Sequence, residues 1–188
     1  MSRRLKMEWN VPNVLTLIRF LLIPVFCVLM SEDRMRAALI VFILAGLTDL
    51  LDGYIARSTN SITRFGKLMD PLADKLMVLS LMIGMLLKGI IPASAFIILI
   101  VKEALMVLGG LLLFVRRDTV VYSKPIGKVA QFLTVMALVL CFFHKEFIAM
   151  GRPIHLWMLW LSVALAIASL LYYTYKNICP LLTNQKAD

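Results

Sequence analysis

Four aspartates interrupt the apolar stretches of this chain, and their spacing is its most informative chemical pattern. Asp49, Asp52, Asp70 and Asp74 lie in the run DLLDGYIARSTNSITRFGKLMDPLAD, with the spacing D-x2-D-G-x2-A-R-x8-G-x3-D-x3-D. A carboxylate at the centre of a membrane helix costs about 2.5–3.5 kcal/mol on insertion scales, so acidic residues in such segments indicate function. The pattern predicts a metal-bound catalytic site in preference to a structural device.

Helical spacing groups the aspartates into two pairs. Asp49 and Asp52 are three residues apart and Asp70 and Asp74 are four apart, so each pair shares a helix face. Four carboxylates brought together by neighbouring helices repel strongly, and oxygen ligands without His or Cys suit Mg²⁺, Mn²⁺ or Ca²⁺. Two divalent ions balance four carboxylates and favour displacement at phosphorus. The structural alternative is an intramembrane ion-pair network or ordinary carboxylates near the interface.

The composition indicates a membrane protein. Of 188 residues 61% are hydrophobic and the mean hydropathy is +0.89, so the bilayer must be the solvent for much of the chain. The apolar segments predict an all-α polytopic membrane protein, a bundle of six transmembrane helices in one domain, residues 1–188. The predicted spans are Val14–Met30, Met35–Ile55, Leu68–Leu87, Pro92–Val115, Ile126–Phe143 and Ile154–Tyr175.

The basic residues predict the orientation of this bundle. With the N-terminus in the cytoplasm, twelve Lys and Arg residues fall on the cytoplasmic side and five on the other. This bias predicts that both termini and the aspartate motif face the cytoplasm, with residues 1–12 as an interfacial segment. The net charge is +9, and the basic residues are scattered among apolar spans. This distribution favours membrane lipids as partners and argues against nucleic acid.

The aspartate run resembles, at every position, the signature of the CDP-alcohol phosphatidyltransferase family. The resemblance implies a six-span homodimer whose metal-dependent reaction moves a phosphatidyl or related group from a CDP-linked donor to an alcohol and releases CMP. It implies two divalent ions, Mg²⁺ or Mn²⁺, held by Asp49, Asp52, Asp70 and Asp74, with Asp74 also the general base. The CDP-binding residues that it implies are Asp49, Asp52, Gly53, Ala56, Arg57, Gly66 and Asp70.

The segment NVPNVLTLIR, residues 10–19, resembles the phosphatidylglycerophosphate synthase branch of that family. This implies CDP-diacylglycerol as donor, glycerol 3-phosphate as acceptor and a place in the cytoplasmic (inner) membrane. Asn13, Thr16 and Arg19 recur every three residues and are candidate supporting residues. A helix N-cap is the alternative for Asn13, and a capping or packing role for Thr16. Arg19 is expected to point at the site or to pair with a carboxylate.

Two further groups of charged residues bear on the acceptor. The branch often has Arg–Glu where this chain has Lys102–Glu103, and adjacent residues do not share a helix face, so we expect each to meet a different partner. Candidate ligands for the acceptor phosphate lie in or beside the loop RRDTVVYSKPIGK; they are Arg116, Arg117, Lys124 and Lys128. A positive-inside loop over anionic lipid is the alternative for Arg116 and Arg117.

Three other functions stay open at this stage. Within the family, the chain is alternatively a cardiolipin synthase that uses phosphatidylglycerol, or an enzyme for another polar alcohol. Intramembrane carboxylates also occur in cation transporters, although those often show repeats and broken helices near the bilayer midplane. The aspartates here gather at one predicted membrane face, which favours the transferase.

Overall fold

The computed structural model describes the backbone of residues 11–58, 64–117 and 125–175, and the side chains of residues 14–51, 69–108 and 127–175. Within these ranges the chain is helical and contains no strand. It divides into two compact units, Met1–Leu87 and Lys88–Asp188. The helices are α1 (Val11–Ser31), α2 (Met35–Ser58), α3 (Arg64–Leu87), α4 (Ala93–Arg117), α5 (Pro125–Cys141), α6 (His144–Ala149) and α7 (Ile154–Tyr173).

Each predicted span overlaps one of the long helices, so the all-helical prediction is confirmed for the described residues, although α5 and α7 end two residues before the predicted ends. The helices extend beyond the apolar segments at several ends, and α3 begins at Arg64, four residues before the predicted Leu68. Helix α6 has six residues and was not predicted. The segment 1–12 lies outside the described side chains, and the interfacial prediction for it is not tested.

Helices α1 and α2 form an antiparallel hairpin with a three-residue turn. Asp33 in this turn has φ 61°, a left-handed conformation that Asp tolerates better than β-branched residues do. The Arg34 N–H donates to the carbonyl of Leu29 at 2.9 Å, which closes the end of α1. Because the turn is so short, residues equally far from it along the two helices lie side by side.

Helix α1 is the central element of the first unit, since it packs along both α2 and α3. The rings of Phe26 on α1 and Phe42 on α2 are 6.3 Å apart between centroids. On the other side, a Cβ added to Gly84 of α3 would lie 2.8 Å from Met30 Cε of α1. Gly84 therefore leaves room for the end of the Met30 side chain, and α1 packs against both of the helices that carry the aspartates.

Helix α7 is the central element of the second unit, where it packs against α5 and α4. The buried positions on α5 and α7 include many small residues, such as Ala130, Ala137, Ser162 and Ala166. Buried hydroxyls bond within their own helices, as Ser162 Oγ does to the Leu159 carbonyl at 2.8 Å. Small residues at contacts let helix backbones approach closely, a mode of packing common between membrane helices.

Large apolar side chains are exposed along all of the long helices. They include Leu21, Leu50, Leu72, Val107, Phe132 and Trp157. Among the residues that the structure describes, two helical segments are long and apolar enough to cross a membrane, Val14–Ser31 and Ile154–Tyr173, and Gly127–Cys141 is a shorter apolar helix. Six crossings and cytoplasmic termini stay predictions.

Candidate active site

The candidate site in the first unit is built around two polar side chains of α1. Thr16 and Arg19 are three residues apart and share the helix face that meets α2 and α3. Thr16 is fully buried, and the long Arg19 side chain is only 2% exposed. A buried guanidinium requires anionic partners, because an isolated charge is strongly destabilised away from water.

Arg19 lies between aspartates of two different helices. Its Nη1 donates to Asp49 Oδ1 of α2 at 2.7 Å, and its Nη2 lies 3.9 Å from Asp70 Oδ1 of α3. The two carboxylate side chains are 42% and 32% exposed. They therefore meet at the guanidinium on one side and reach solvent on the other. Arg19 therefore pairs with a carboxylate, as its position in an apolar segment led us to expect.

Thr16 bonds to the second of these aspartates. Its Oγ1 donates to Asp70 Oδ1, the same oxygen that faces Arg19 Nη2. Among the described residues, neither Asp49 nor Asp70 uses its Oδ2 in a hydrogen bond or ion pair. Thr16 lies inside α1 and is therefore not its cap. Each of the two carboxylates has one bonded oxygen and one oxygen available for another ligand.

The rest of the aspartate motif is only partly covered by the described side chains. Asp74 lies one turn beyond Asp70 on α3 and is exposed. The backbone of α2 continues through Asp52 and ends at Ser58. The predicted site residues whose side chains lie outside the described ranges are Asn13, Asp52, Gly53, Ala56, Arg57, Gly66, Arg116, Arg117 and Lys124. Asn13 is the third residue of α1, so it is not the N-cap of that helix.

A divalent ion fits the chemistry of this donor set. Carboxylate oxygens of Asp49 and Asp70 lie within 4 Å of one guanidinium, so the fold already brings acidic groups of α2 and α3 around a positive charge. Such oxygens are the ligands that Mg²⁺ and Mn²⁺ prefer. Within the described side chains, no group of three His, Cys, Asp or Glu residues has the geometry of a metal site. The metal site therefore stays a prediction that also requires Asp52.

The remaining predicted residues with described side chains belong to the second unit. Lys102 is buried on α4, and its Nζ donates to Glu103 Oε1. These neighbours were expected to meet different partners, and the structure differs in that they bond directly to each other, because their flexible stems allow adjacent helix residues to meet. Lys128 is exposed in the first turn of α5. Its exposure leaves the ammonium accessible to an anion.

The sequence did not predict that a single guanidinium would contact both aspartate-bearing helices. A signal for half of this arrangement was present, since Arg19 and Asp49 both lie fifteen residues from Arg34 in the α1–α2 turn. In an antiparallel hairpin such residues are neighbours. The second contact, to Asp70, depends on how α3 packs against α1, and the spacing along the chain does not reveal that.

The chain is similar to a family of known proteins along most of its length. Residues 9–168 match the family model described as CDP-alcohol phosphatidyltransferase. The CDP-diacylglycerol–glycerol-3-phosphate 3-phosphatidyltransferase of Bacillus subtilis is 35% identical over 187 residues, covering 90% of this chain and 95% of that protein. The protein of the same name from Rickettsia bellii is 38% identical, covering 71% of this chain and 75% of its own length.

A second kind of relative carries a different name. The human cardiolipin synthase (CMP-forming) is 36% identical over 121 residues. This similarity covers 64% of the present chain and 40% of the human protein. Relatives with two different activities in their names are thus similar to this chain, and similarity to the family alone does not separate these activities.

Proposed function

The chain belongs to the CDP-alcohol phosphatidyltransferase family, and we propose that it transfers the phosphatidyl group of CDP-diacylglycerol to glycerol 3-phosphate. The products are phosphatidylglycerophosphate and CMP, so the reaction is a step of phospholipid biosynthesis. The observation that carries this choice of acceptor is the 35% identity to the Bacillus subtilis enzyme over nearly the whole of both chains. The similarity to human cardiolipin synthase covers less of each protein and supports the alternative acceptor less well.

The proposed reaction is a displacement at the phosphorus of the phosphatidyl group. The acceptor hydroxyl oxygen forms a new bond to this phosphorus, and the bond from phosphorus to the oxygen of the departing CMP breaks. Asp74 takes the hydroxyl proton, as the family resemblance implies. Its exposure on α3 suits this role, because the proton must then pass to water.

Two divalent ions, Mg²⁺ or Mn²⁺, belong to the same proposal, and when bound they supply positive charge that stabilises the departing CMP. Asp49, Asp52, Asp70 and Asp74 hold them. The carboxylates that Arg19 gathers from α2 and α3 support this assignment, because they are oxygen donors from both halves of the motif. The CDP group is placed beside Gly53, Ala56, Arg57 and Gly66 on the strength of the resemblance.

We place the protein in the cytoplasmic membrane with six crossings, and the same proposal puts both termini and the active site at the cytoplasmic face. Support comes from the exposed apolar side chains on every long helix and from the twelve-to-five bias of basic residues.

In sealed right-side-out vesicles, a cysteine introduced at Lys88 is expected to react with an impermeant thiol reagent, and one at Lys176 is not. The reverse pattern contradicts the orientation. A homodimer rests on the family resemblance alone.

The test of the function is an acceptor screen with purified full-length protein, CDP-diacylglycerol and Mg²⁺. CMP release is expected with glycerol 3-phosphate and not with serine, inositol phosphate or phosphatidylglycerol. Release only with phosphatidylglycerol makes the protein a cardiolipin synthase. If CMP is released only with another alcohol, that alcohol is the acceptor, and the chemistry proposed for the family still applies.

Lys128 provides a test of how the acceptor phosphate is bound. We propose that it contacts this phosphate together with Arg116, Arg117 and Lys124, because it is an exposed cation at the start of α5. A hydrogen bond to a charged group contributes about 1.5–3 kcal/mol, so Lys128→Gln is expected to raise the KM for glycerol 3-phosphate by about tenfold or more. The KM for CDP-diacylglycerol changes much less. Steady-state kinetics check both values.

The control for this variant is Lys145→Gln on α6, which removes an exposed lysine assigned to the opposite side of the membrane. Its KM values are expected to match those of the unaltered protein. Equal kinetics for Lys128→Gln and Lys145→Gln would remove Lys128 from the phosphate site.

A further inference from the structure

The first unit contains two buried polar side chains on α1 that bond to aspartates of the motif but do not belong to it. Thr16 donates to Asp70, and Arg19 donates to Asp49 and faces Asp70. Both lie on the helix that packs against α2 and α3 at once. Helix α1 therefore contacts both halves of the proposed metal site through side chains as well as through packing.

The bonds are directed at one oxygen of each carboxylate. The contacts of Thr16 and Arg19 with Asp49 and Asp70 use Oδ1, and within the described part of the chain Oδ2 of each aspartate has no such bond. A carboxylate held through one oxygen has a restricted rotation about its χ angles, and the other oxygen is left for a ligand. Groups that hydrogen-bond metal-ligating carboxylates orient them, and their loss commonly costs about 10–100-fold in metal affinity or activity.

We propose that Thr16 and Arg19 are positioning residues, which orient Asp70 and Asp49 so that their Oδ2 atoms bind the divalent ions. This rests on the metal chemistry of the proposed function and adds the groups that prepare the site. Neither residue contacts a substrate in this account. Their role is to hold the carboxylates of two separate helices in a geometry that an ion accepts without further rearrangement.

The competing explanation is that the two residues only neutralise charge and fill space. The two explanations predict opposite changes in the affinity of the carboxylates for a metal ion when Arg19 is replaced. Removing a nearby positive charge strengthens the attraction of the carboxylates for a metal ion, whereas removing an orienting bond weakens it. Thr16 separates the two effects because it is uncharged. Thr16→Val keeps the shape of the side chain and deletes only the hydroxyl that donates to Asp70.

The experiment measures Mn²⁺ binding to purified full-length protein by electron paramagnetic resonance, with no substrate present. Thr16→Val is expected to bind Mn²⁺ about tenfold more weakly, and Thr16→Ser, which keeps the hydroxyl, within about threefold of the unaltered protein. Thr134→Val is the matched control, since its buried hydroxyl bonds to the Ala130 carbonyl of its own helix at 2.9 Å. Its Mn²⁺ affinity is expected to be unchanged. Thermal unfolding without metal checks that each variant is folded.

Unchanged Mn²⁺ affinity in Thr16→Val overturns the proposal, as does an equal loss in Thr16→Ser, which would indicate packing alone. If Thr16→Val does not fold, the comparison of Thr16→Ser with Thr16→Ala decides the matter by the same criterion. Failure of the function is distinguishable, because it appears as absent CMP release in a protein whose Mn²⁺ binding still responds to Thr16. Absence of Mn²⁺ binding in the unaltered protein overturns both.

Discussion

Asp74→Asn is expected to lower CMP release by about 10²–10⁴-fold, which is the usual contribution of a general base. Asparagine has nearly the same size and still offers a carbonyl oxygen, but it cannot accept the proton of the acceptor hydroxyl. Mn²⁺ affinity is expected to stay within about tenfold of the unaltered value, since Asp49 and Asp70 remain held by Arg19 and Thr16. CMP release and Mn²⁺ binding on the same preparation check the two expectations.

The matched control is Asp33→Asn in the α1–α2 turn. Asp33 has φ 61°, and asparagine also tolerates the left-handed conformation, so the turn is preserved while one carboxylate is lost. Its turnover is expected to equal that of the unaltered protein. Retained turnover in Asp74→Asn contradicts the assignment of the base. Parallel loss of turnover and of Mn²⁺ binding shows that Asp74 acts chiefly as a metal ligand.

Arg19→Met is expected to destabilise the metal-free protein by about 1–3 kcal/mol. Removing one partner of a fully buried ion pair costs about 3–5 kcal/mol. A smaller loss of stability is expected here because the side chains of Asp49 and Asp70 are 42% and 32% exposed. Methionine retains the unbranched apolar stem, so the packing within α1 changes little while the two carboxylates lose their shared cation. Unfolding in mixed detergent micelles without divalent ions measures the free energy.

Two comparisons make this result specific. Arg34→Met deletes a surface pair with Glu32, 3.2 Å apart and exposed on both sides, so its effect is expected to be within about 1 kcal/mol. In Arg19→Met combined with Asp49→Asn, one of the unpaired carboxylates is neutralised, and the loss is expected to be smaller than the sum of the single losses. Equal stability of Arg19→Met and Arg34→Met, or simple additivity in the double variant, contradicts the shared ion pair.

Much of the helical architecture was predictable because apolar length is a strong signal in this chain. Six continuous apolar segments became α1 to α5 and α7. The ends were less predictable, since α3 includes polar residues such as Arg64 and Lys67 before its apolar run. Apolarity reports which residues avoid water, whereas a helix continues wherever its backbone bonds are satisfied. The six-residue α6 lacks an apolar run of its own and gave no such signal.

The candidate site was predictable in its residue types and less so in its contacts. The spacing of the aspartates indicated two helix-borne pairs, and the position of Arg19 in an apolar run indicated an anionic partner. Which partner it meets depends on the register of α1 against two helices at once. Thr16 was open between capping and packing, and its bond to Asp70 follows only from the docking of α3. The bond between Lys102 and Glu103 was not predicted, because adjacent residues leave a helix in different directions. Their long side chains nevertheless bring the ammonium and the carboxylate together.

The most direct measurement follows the acceptor itself. Radiolabelled glycerol 3-phosphate is incubated with purified full-length protein, CDP-diacylglycerol and Mg²⁺, and the label in the lipid phase is compared with the CMP released. One labelled phosphatidylglycerophosphate is expected for each CMP, and neither product is expected when EDTA removes the metal. CMP release without label in the lipid phase, or equal turnover in EDTA, would contradict the proposed function.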